Sequence, residues 1–411
     1  MYPSGALRFA NHSGRYAAIG LGFTIPLSVA LDNTLLGLLV VGWIVGGCYA
    51  VKWATIKNNI VCLGTLALFA VLLLGAFLGV QSATDAQQHL IKYLDLAIVP
   101  VFAYYFRDPV TRQRGLLAFA AAMTLVLACS FLVKFGVLEF GGPIKGTPLS
   151  PVVFKFRVTH NFLMAFSAFL FIRLAMASTL KAERVIFGVL GLLAVGNVTL
   201  MVEGATGYII LLALSLVLVF SVLPKRLAMV AIIAIPMIAC VLAAVPGPFA
   251  KRVSTITKEI EAWRPGTSAQ YSSAGLRLEF YKNTLEIVAE HPVVGVGTGG
   301  FPKAYAEKVR GTGMAETQNP HNEYLMIAAQ TGLIGLLALL GLFAMQWIAA
   351  KRLPTRLETG LAHGLVVTMV IGCLLNSLLL DHTEGLFYAW LTGLLYGGLE
   401  YGPRDKPPAP T

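Results

Sequence analysis

The chain has 411 residues, of which 57% are hydrophobic and only 12% charged. A soluble domain carries about 25% charged residues, so this chain cannot clothe itself in polar surface. Soluble enzymes, disordered proteins and disulfide-rich secreted modules are excluded. An outer-membrane barrel is excluded too, because its strands alternate over about ten residues and give no long apolar runs. What is left is an all-α polytopic membrane protein. The net charge of +11 belongs to loops facing an anionic lipid surface, so no nucleic-acid partner is expected. The five cysteines (Cys48, Cys62, Cys129, Cys240, Cys373) lie in apolar segments without a Cys-x-x-Cys pair and read as small buried hydrophobes.

A window of roughly 20 apolar residues predicts twelve spans. They lie near 16–31, 34–51, 60–80, 90–106, 115–135, 160–178, 185–202, 207–223, 227–245, 322–349, 360–380 and 385–400. Arg8 and Arg15 precede the first; no small-residue cleavage site follows, so it reads as a retained helix. Spans 7 and 8 are joined by a tight hairpin at Glu203-Gly204-Ala205-Thr206. The chain therefore divides into spans 1–9 (1–245), a loop domain (246–321), spans 10–12 (322–400) and a proline-rich, disordered cytoplasmic tail (401–411).

Orientation follows from Lys and Arg. With both termini in the cytoplasm, 17 of them fall inside and 5 lie at the short outer ends (Lys92, Lys134, Lys145, Lys155, Arg157). The long loop is then outside with nine more, which loops beyond about 60 residues tolerate. A loop of that length in a compact protein points to function.

Within the loop, Val253–Trp263 reads as a short helix, broken at Arg264-Pro265-Gly266. Ser273–Glu290 reads as a second helix, with Leu278, Tyr281, Leu285 and Val288 at helical spacing and Arg277, Tyr281 and Thr284 on an adjoining line. Pro302–Arg310 reads as a third. Between them, Gly295, Gly297 and Gly300 spell G-x-G-x-x-G, but the strand, helix and distant acid of a dinucleotide site are missing. The stretch reads instead as a tight turn whose amides could approach a phosphate.

At the start of span 10, Asn319 suits an N-cap and Pro320 the first helical position. That places His321 in the first turn, where free N–H groups favour a phosphate and the imidazole can accept a proton. Lys155, Arg157 and His160 form a cationic cluster on the outer side, where the positive-inside rule disfavours cations; a bound anion explains it. His89 and Asp381-His382-Thr383-Glu384 lie at outer ends, as a polar rim or as part of a cleft. No Asp-x-Asp, outer-loop His-x-x-x-His, Cys cluster, Walker A or G-x-S-x-G sequence appears, so no metal, cofactor or ATP is expected.

Arg277, Tyr281 and His291-Pro292-Val293-Val294-Gly295-Val296-Gly297-Thr298-Gly299-Gly300-Phe301 resemble the "R…hP-x-x-G-x-G-x-x-x-F" stretch of the O-antigen ligase and polymerase family. His321-Asn322-Glu323-Tyr324-Leu325, ending at Thr331-Gly332, resembles its "H-N-x-x-L…G" signature. Twelve spans with one large outer loop between spans 9 and 10 also match. The chain departs from the family at Ala205-Thr206-Gly207-Tyr208, where members often carry an arginine.

The resemblance implies a metal-independent glycosyltransferase of GT-C-like fold in the bacterial inner membrane, with its active site facing the periplasm. Its donor would be a glycan on undecaprenyl diphosphate, its acceptor a sugar hydroxyl of lipid A–core, and its product complete lipopolysaccharide. His321 would act on the acceptor hydroxyl and Arg277 on the leaving diphosphate. Arg157, Lys155, His160, Arg264, Tyr281 and Asn322 would bind substrate, and membrane lipids would surround the spans. A polymerase with the same donor is the nearest alternative. A flippase or transporter, for which only Lys92 and Asp95 look unusual, is a further one. The compact length argues against a protein oligosaccharyltransferase of the same family.

Overall fold

A computed structural model describes residues 5–79, 81–139, 141–244, 247–264 and 272–399. Among them the chain is helical throughout, with only isolated bridges between 141 and 153. In chain order the helices are α1 (Gly5–Thr24), α2 (Val29–Val45), α3 (Tyr49–Lys57), α4 (Ile60–Leu78), α5 (Ala83–Lys92), α6 (Leu94–Tyr105), α7 (Pro109–Lys134) and α8 (Arg157–Ala177). They continue with α9 (Lys181–Gly196), α10 (Ala205–Val222), α11 (Lys225–Ala244), α12 (Pro248–Ala262), α13 (Ser273–Glu290), α14 (Phe301–Val309), α15 (Glu323–Ala349), α16 (Arg356–Leu375) and α17 (His382–Tyr396). The predicted tail 401–411 and Pro265-Gly266 lie outside the described residues.

Every predicted span coincides with helix, but length and composition do not single out all twelve as crossings. Seven helices among the described residues are long and apolar enough to cross a membrane: α4, α7, α8, α9 with the π-turn Asn197–Met201, α10, α15 and α16. The pair α2 and α3, bent by 111°, would be an eighth. The fourth predicted span is split at Tyr93 into α5 and α6, and α17 has only 15 residues. Lys92 and Asp95 form no ion pair among the described residues: Lys92 ends α5 and lies within electrostatic reach of Asp381.

Helix α17 is apolar all round and is therefore buried; Phe387, Tyr388, Trp390 and Tyr396 are all enclosed. The side chains of Trp390 and Tyr388 find partners inside the bundle, as a lipid-embedded protein requires. Trp390 Nε1 donates to Ala18 O at 2.9 Å, and Tyr388 Oη donates to Gln346 Oε1 at 2.9 Å. At one end of the bundle Arg112 of α7 and Glu358 of α16 form a buried ion pair at 2.7 Å. At the other end lie the start of α15, the segment 376–381 and the loop helices α12 to α14.

The glycine stretch serves packing. The backbone N–H groups of residues 295 to 300 all donate to protein: to His291 O, Ala329 O, Gln330 O, Gly75 O, Gln330 Oε1 and Gly297 O in turn. None is left for a phosphate, so that expectation is corrected. The loop docks into a break in α15 at Gly332 (φ 62°, ψ −157°), where a Cβ would sit 2.2 Å from the Val293 carbonyl carbon. Gly332→Ala meets both a left-handed backbone and a backbone clash. It should lower the melting temperature of purified protein markedly; an unchanged melting temperature would show that the break relaxes.

Candidate functional site

Helix α13 starts at a serine cap, Ser272 Oγ accepting from Gly275 N at 3.1 Å. It runs as predicted over Ser273–Glu290 and buries Phe280, Thr284 and Ile287. Arg277 and Tyr281, one turn apart, therefore share a line on the helix. Tyr281 Oη reaches two carbonyls at the end of α16 and the start of α15, Leu374 O at 3.2 Å and His321 O at 3.1 Å.

The start of α15 differs from the expectation. Asn322, and not Asn319, is the N-cap, its Oδ1 accepting from Leu325 N at 3.1 Å. His321 thus precedes the helix, with φ at 56°. The reason is local: Asn319 folds back to accept from the His321 N–H at 2.7 Å, and it also accepts from Ser377 Oγ at 2.7 Å. An asparagine turn of this kind competes with helix. A left-handed non-glycine residue costs roughly 1–2 kcal/mol and persists where the surroundings over-determine it. Here the N–H is held by Asn319, the carbonyl by Tyr281 and the ring by Asn376.

Asn376 Oδ1 lies 3.0 Å from His321 Nδ1, and Asn376 Nδ2 donates to Asp381 Oδ2 at 3.0 Å. The chemistry orients the whole row. A carboxylate only accepts, so it takes the amide N–H₂; the amide oxygen only accepts, so Nδ1 carries the proton. In the neutral imidazole, Nε2 is then left as the acceptor. Phe280 stacks on the ring with centroids 6.3 Å apart. Burial pushes Asp381 above the usual carboxylate range, while His321, Lys92 and Asn376 pull it back.

Arg277 is half-buried and makes no hydrogen bond or ion pair among the described residues. Burial lowers its affinity for the proton, with Tyr281 opposing and Arg252 of α12 adding to the effect; the guanidinium stays charged. Arg252 and Arg157 both act electrostatically on Tyr208, in the first turn of α10. Arginines from α8, α12 and α13 thus gather at the same end of the bundle. Beside them Asn161 is fully enclosed, with neither amide atom hydrogen-bonded. Its Nδ2 lies 2.2 Å from where a Cβ on Gly204, the residue capping α10, would be.

The remaining expected residues are placed differently. Lys155 is buried and bonds Thr383 Oγ1 at 3.1 Å, with Asp32 Oδ2 at 3.9 Å; its counter-charge is the protein's own, and burial lowers its pKa. His160 is enclosed, with Nε2 against Asn197 Oδ1 at 3.1 Å, and so ties α8 to the π-turn after α9. Arg264 donates to Glu261 O at 2.9 Å and Trp263 O at 2.8 Å, closing the end of α12. Asn322 is both cap and brace, donating to Leu374 O at 3.2 Å. Asn376 and Asp381 were missed as partners of His321, since they lie 55 and 60 residues away in sequence. Among the described residues no three His, Cys, Asp or Glu side chains meet in a metal-holding group.

Residues 190–340 match the sequence model of the family described as O-Antigen ligase. The matched stretch covers less than half of the chain and contains α10, the loop helices, Arg277, His321 and the break at Gly332; it bears out the resemblance read from the motifs. A comparison with curated proteins finds no match.

Proposed function

We propose that this protein is an O-antigen ligase, which moves a glycan from undecaprenyl diphosphate to a sugar hydroxyl of lipid A–core at the periplasmic side of the bacterial inner membrane. The observation that carries the reading is the Asp381–Asn376–His321 row, beside Arg277, which has no hydrogen-bond or ion-pair partner among the described residues; His321 and Arg277 lie inside the stretch that matches the ligase family. His321 Nε2 takes the proton of the acceptor hydroxyl as that oxygen bonds to the anomeric carbon. The bond from that carbon to the diphosphate breaks, and its electron pair leaves with the phosphate. Arg277 meets the charge that develops there, and Arg157 and Arg252 with the Asn161 amide take the place of the family's arginine at the start of α10. The proposed roles of Lys155, His160 and Arg264 narrow to holding the walls of the site.

The experiment is transfer of glycan from purified undecaprenyl-diphosphate donor to purified lipid A–core. Product on lipid A–core supports the ligase; elongation of the donor glycan alone would make the protein a polymerase. Transfer is expected to persist in EDTA, because no clustered acids of metal-binding spacing occur in the loop. Loss of activity in EDTA with recovery in magnesium or manganese would overturn that. Arg277→Lys keeps the charge and loses the planar fork; it should cut turnover about tenfold or more and weaken donor binding. Unchanged kinetics would reduce Arg277 to a general loop cation.

A further inference from the structure

At the end of the bundle opposite His321, the structure assigns a second binding site, for the phosphate diester of an anionic phospholipid. A cavity of about 500 Å³ opens between the ends of α8, α10 and α16. Its polar lining includes Arg173, Arg356 and His363, and its lining contains no aspartate or glutamate.

Arg173 is the unusual member. It is only 8% exposed, yet it forms no ion pair among the described residues. Its Nη1 donates to Ser221 Oγ at 3.0 Å and its Nη2 to Arg356 O at 2.5 Å. Its Nε is buried and has no partner. Buried arginines are ordinarily paired, and this protein shows the ordinary case nearby: Arg112 bonds Glu358 at 2.7 Å. Glu358, two residues beyond Arg356, is committed to that pair. Arg173 is left with neutral acceptors, beside the exposed Arg356, whose side chain makes no bond among the described residues. Two guanidinium groups with no carboxylate beside them among the described residues, one of them buried, make this cavity a place for an anion.

The surroundings say which anion. Met176 and Val222 line the cavity and are 48% and 49% exposed, so its mouth opens on an apolar belt. Trp347, whose ring lies tilted by 38° against that of His363 with centroids 4.2 Å apart, is the residue type enriched where bilayer meets water. A ligand with a phosphate and acyl chains satisfies both halves; a free phosphate satisfies one. On the topology proposed above this is the cytoplasmic leaflet, where anionic lipids meet basic pockets between helices. The assignment holds independently of the ligase reading.

The test is native mass spectrometry of the full chain in detergent, titrated with phosphatidylglycerol or with phosphatidylcholine of the same acyl chains. Phosphatidylglycerol should be retained in preference, and Arg356→Gln should weaken its binding about tenfold. Arg173→Gln should weaken it further, but its packing role makes Arg356→Gln the deciding variant. Equal retention of the two lipids, or a preference unchanged in Arg356→Gln, overturns the site. Inorganic phosphate that binds as tightly as phosphatidylglycerol overturns the lipid assignment.

Discussion

His321→Ala should abolish detectable glycan transfer while donor binding and insertion into the membrane persist. The expected loss is about 10²–10⁴-fold, the usual contribution of a positioned general base. Two observations separate this from a packing role. Among the described residues the imidazole ring is hydrogen-bonded through Nδ1 alone, to Asn376 at 3.0 Å, and stacks on Phe280 alone, so removing it breaks no contact between core helices of the bundle. The backbone strain at φ 56° is upheld through the N–H and the carbonyl, by Asn319 and Tyr281, and both contacts survive in alanine. Turnover and donor affinity measured on the same purified variant decide it. Turnover per folded molecule within a few-fold of the parent would make His321 a packing residue.

Much of this arrangement is legible in the sequence, and the limits have physical reasons. Helix α13 is read with its true ends from a stripe at helical spacing, and the structure adds the Ser272 cap that fixes its start. All twelve apolar runs are helical, yet among the described residues seven helices pass for spans by length and composition, or eight with the bent pair α2 and α3. A single chain cannot show that the run at 90–106 is broken at Tyr93, or that α2 and α3 bend by 111°; those are decisions of packing. Lys155 reads as a surface cation because its partner Asp32 lies 123 residues earlier. The start of α15 fails for a subtler reason. Asn319-Pro320 has the chemistry of a helix start, and so does Asn322. The choice between them is made by Ser377, which holds Asn319 from another segment. The glycine stretch has the spelling of a phosphate loop, but its amides are spent on α4, on α15 and on the loop's own carbonyls.

Asp381→Asn should cost nearly as much as losing the histidine, though no charge touches the acceptor through this residue. In the native row the carboxylate can only accept, so Asn376 must offer it Nδ2 and turn Oδ1 toward His321. An amide at 381 can donate instead. Asn376 is then free to flip, presenting its N–H₂ to Nδ1. The imidazole must answer by moving its proton to Nε2, and the nitrogen that should take the acceptor's proton no longer can. Replacing the aspartate of a histidine-based triad by asparagine acts by this route and lowers turnover about 10⁴-fold in serine proteases; here, one amide further away, a loss of about 10² is expected. Donor affinity and melting temperature should stay near the parent, since shape and packing are kept. The pH profile supplies a second readout. Burial raises Asp381 above an exposed aspartate, so the native enzyme loses this control as pH falls through that raised value, and its turnover drops on the acid side. Asp381→Asn removes that carboxyl's share of the acid limb, so the position or shape of the limb should differ from the parent's. Full turnover in Asp381→Asn, or an acid limb identical to the parent's, would mean that Asn376 holds His321 without instruction from Asp381.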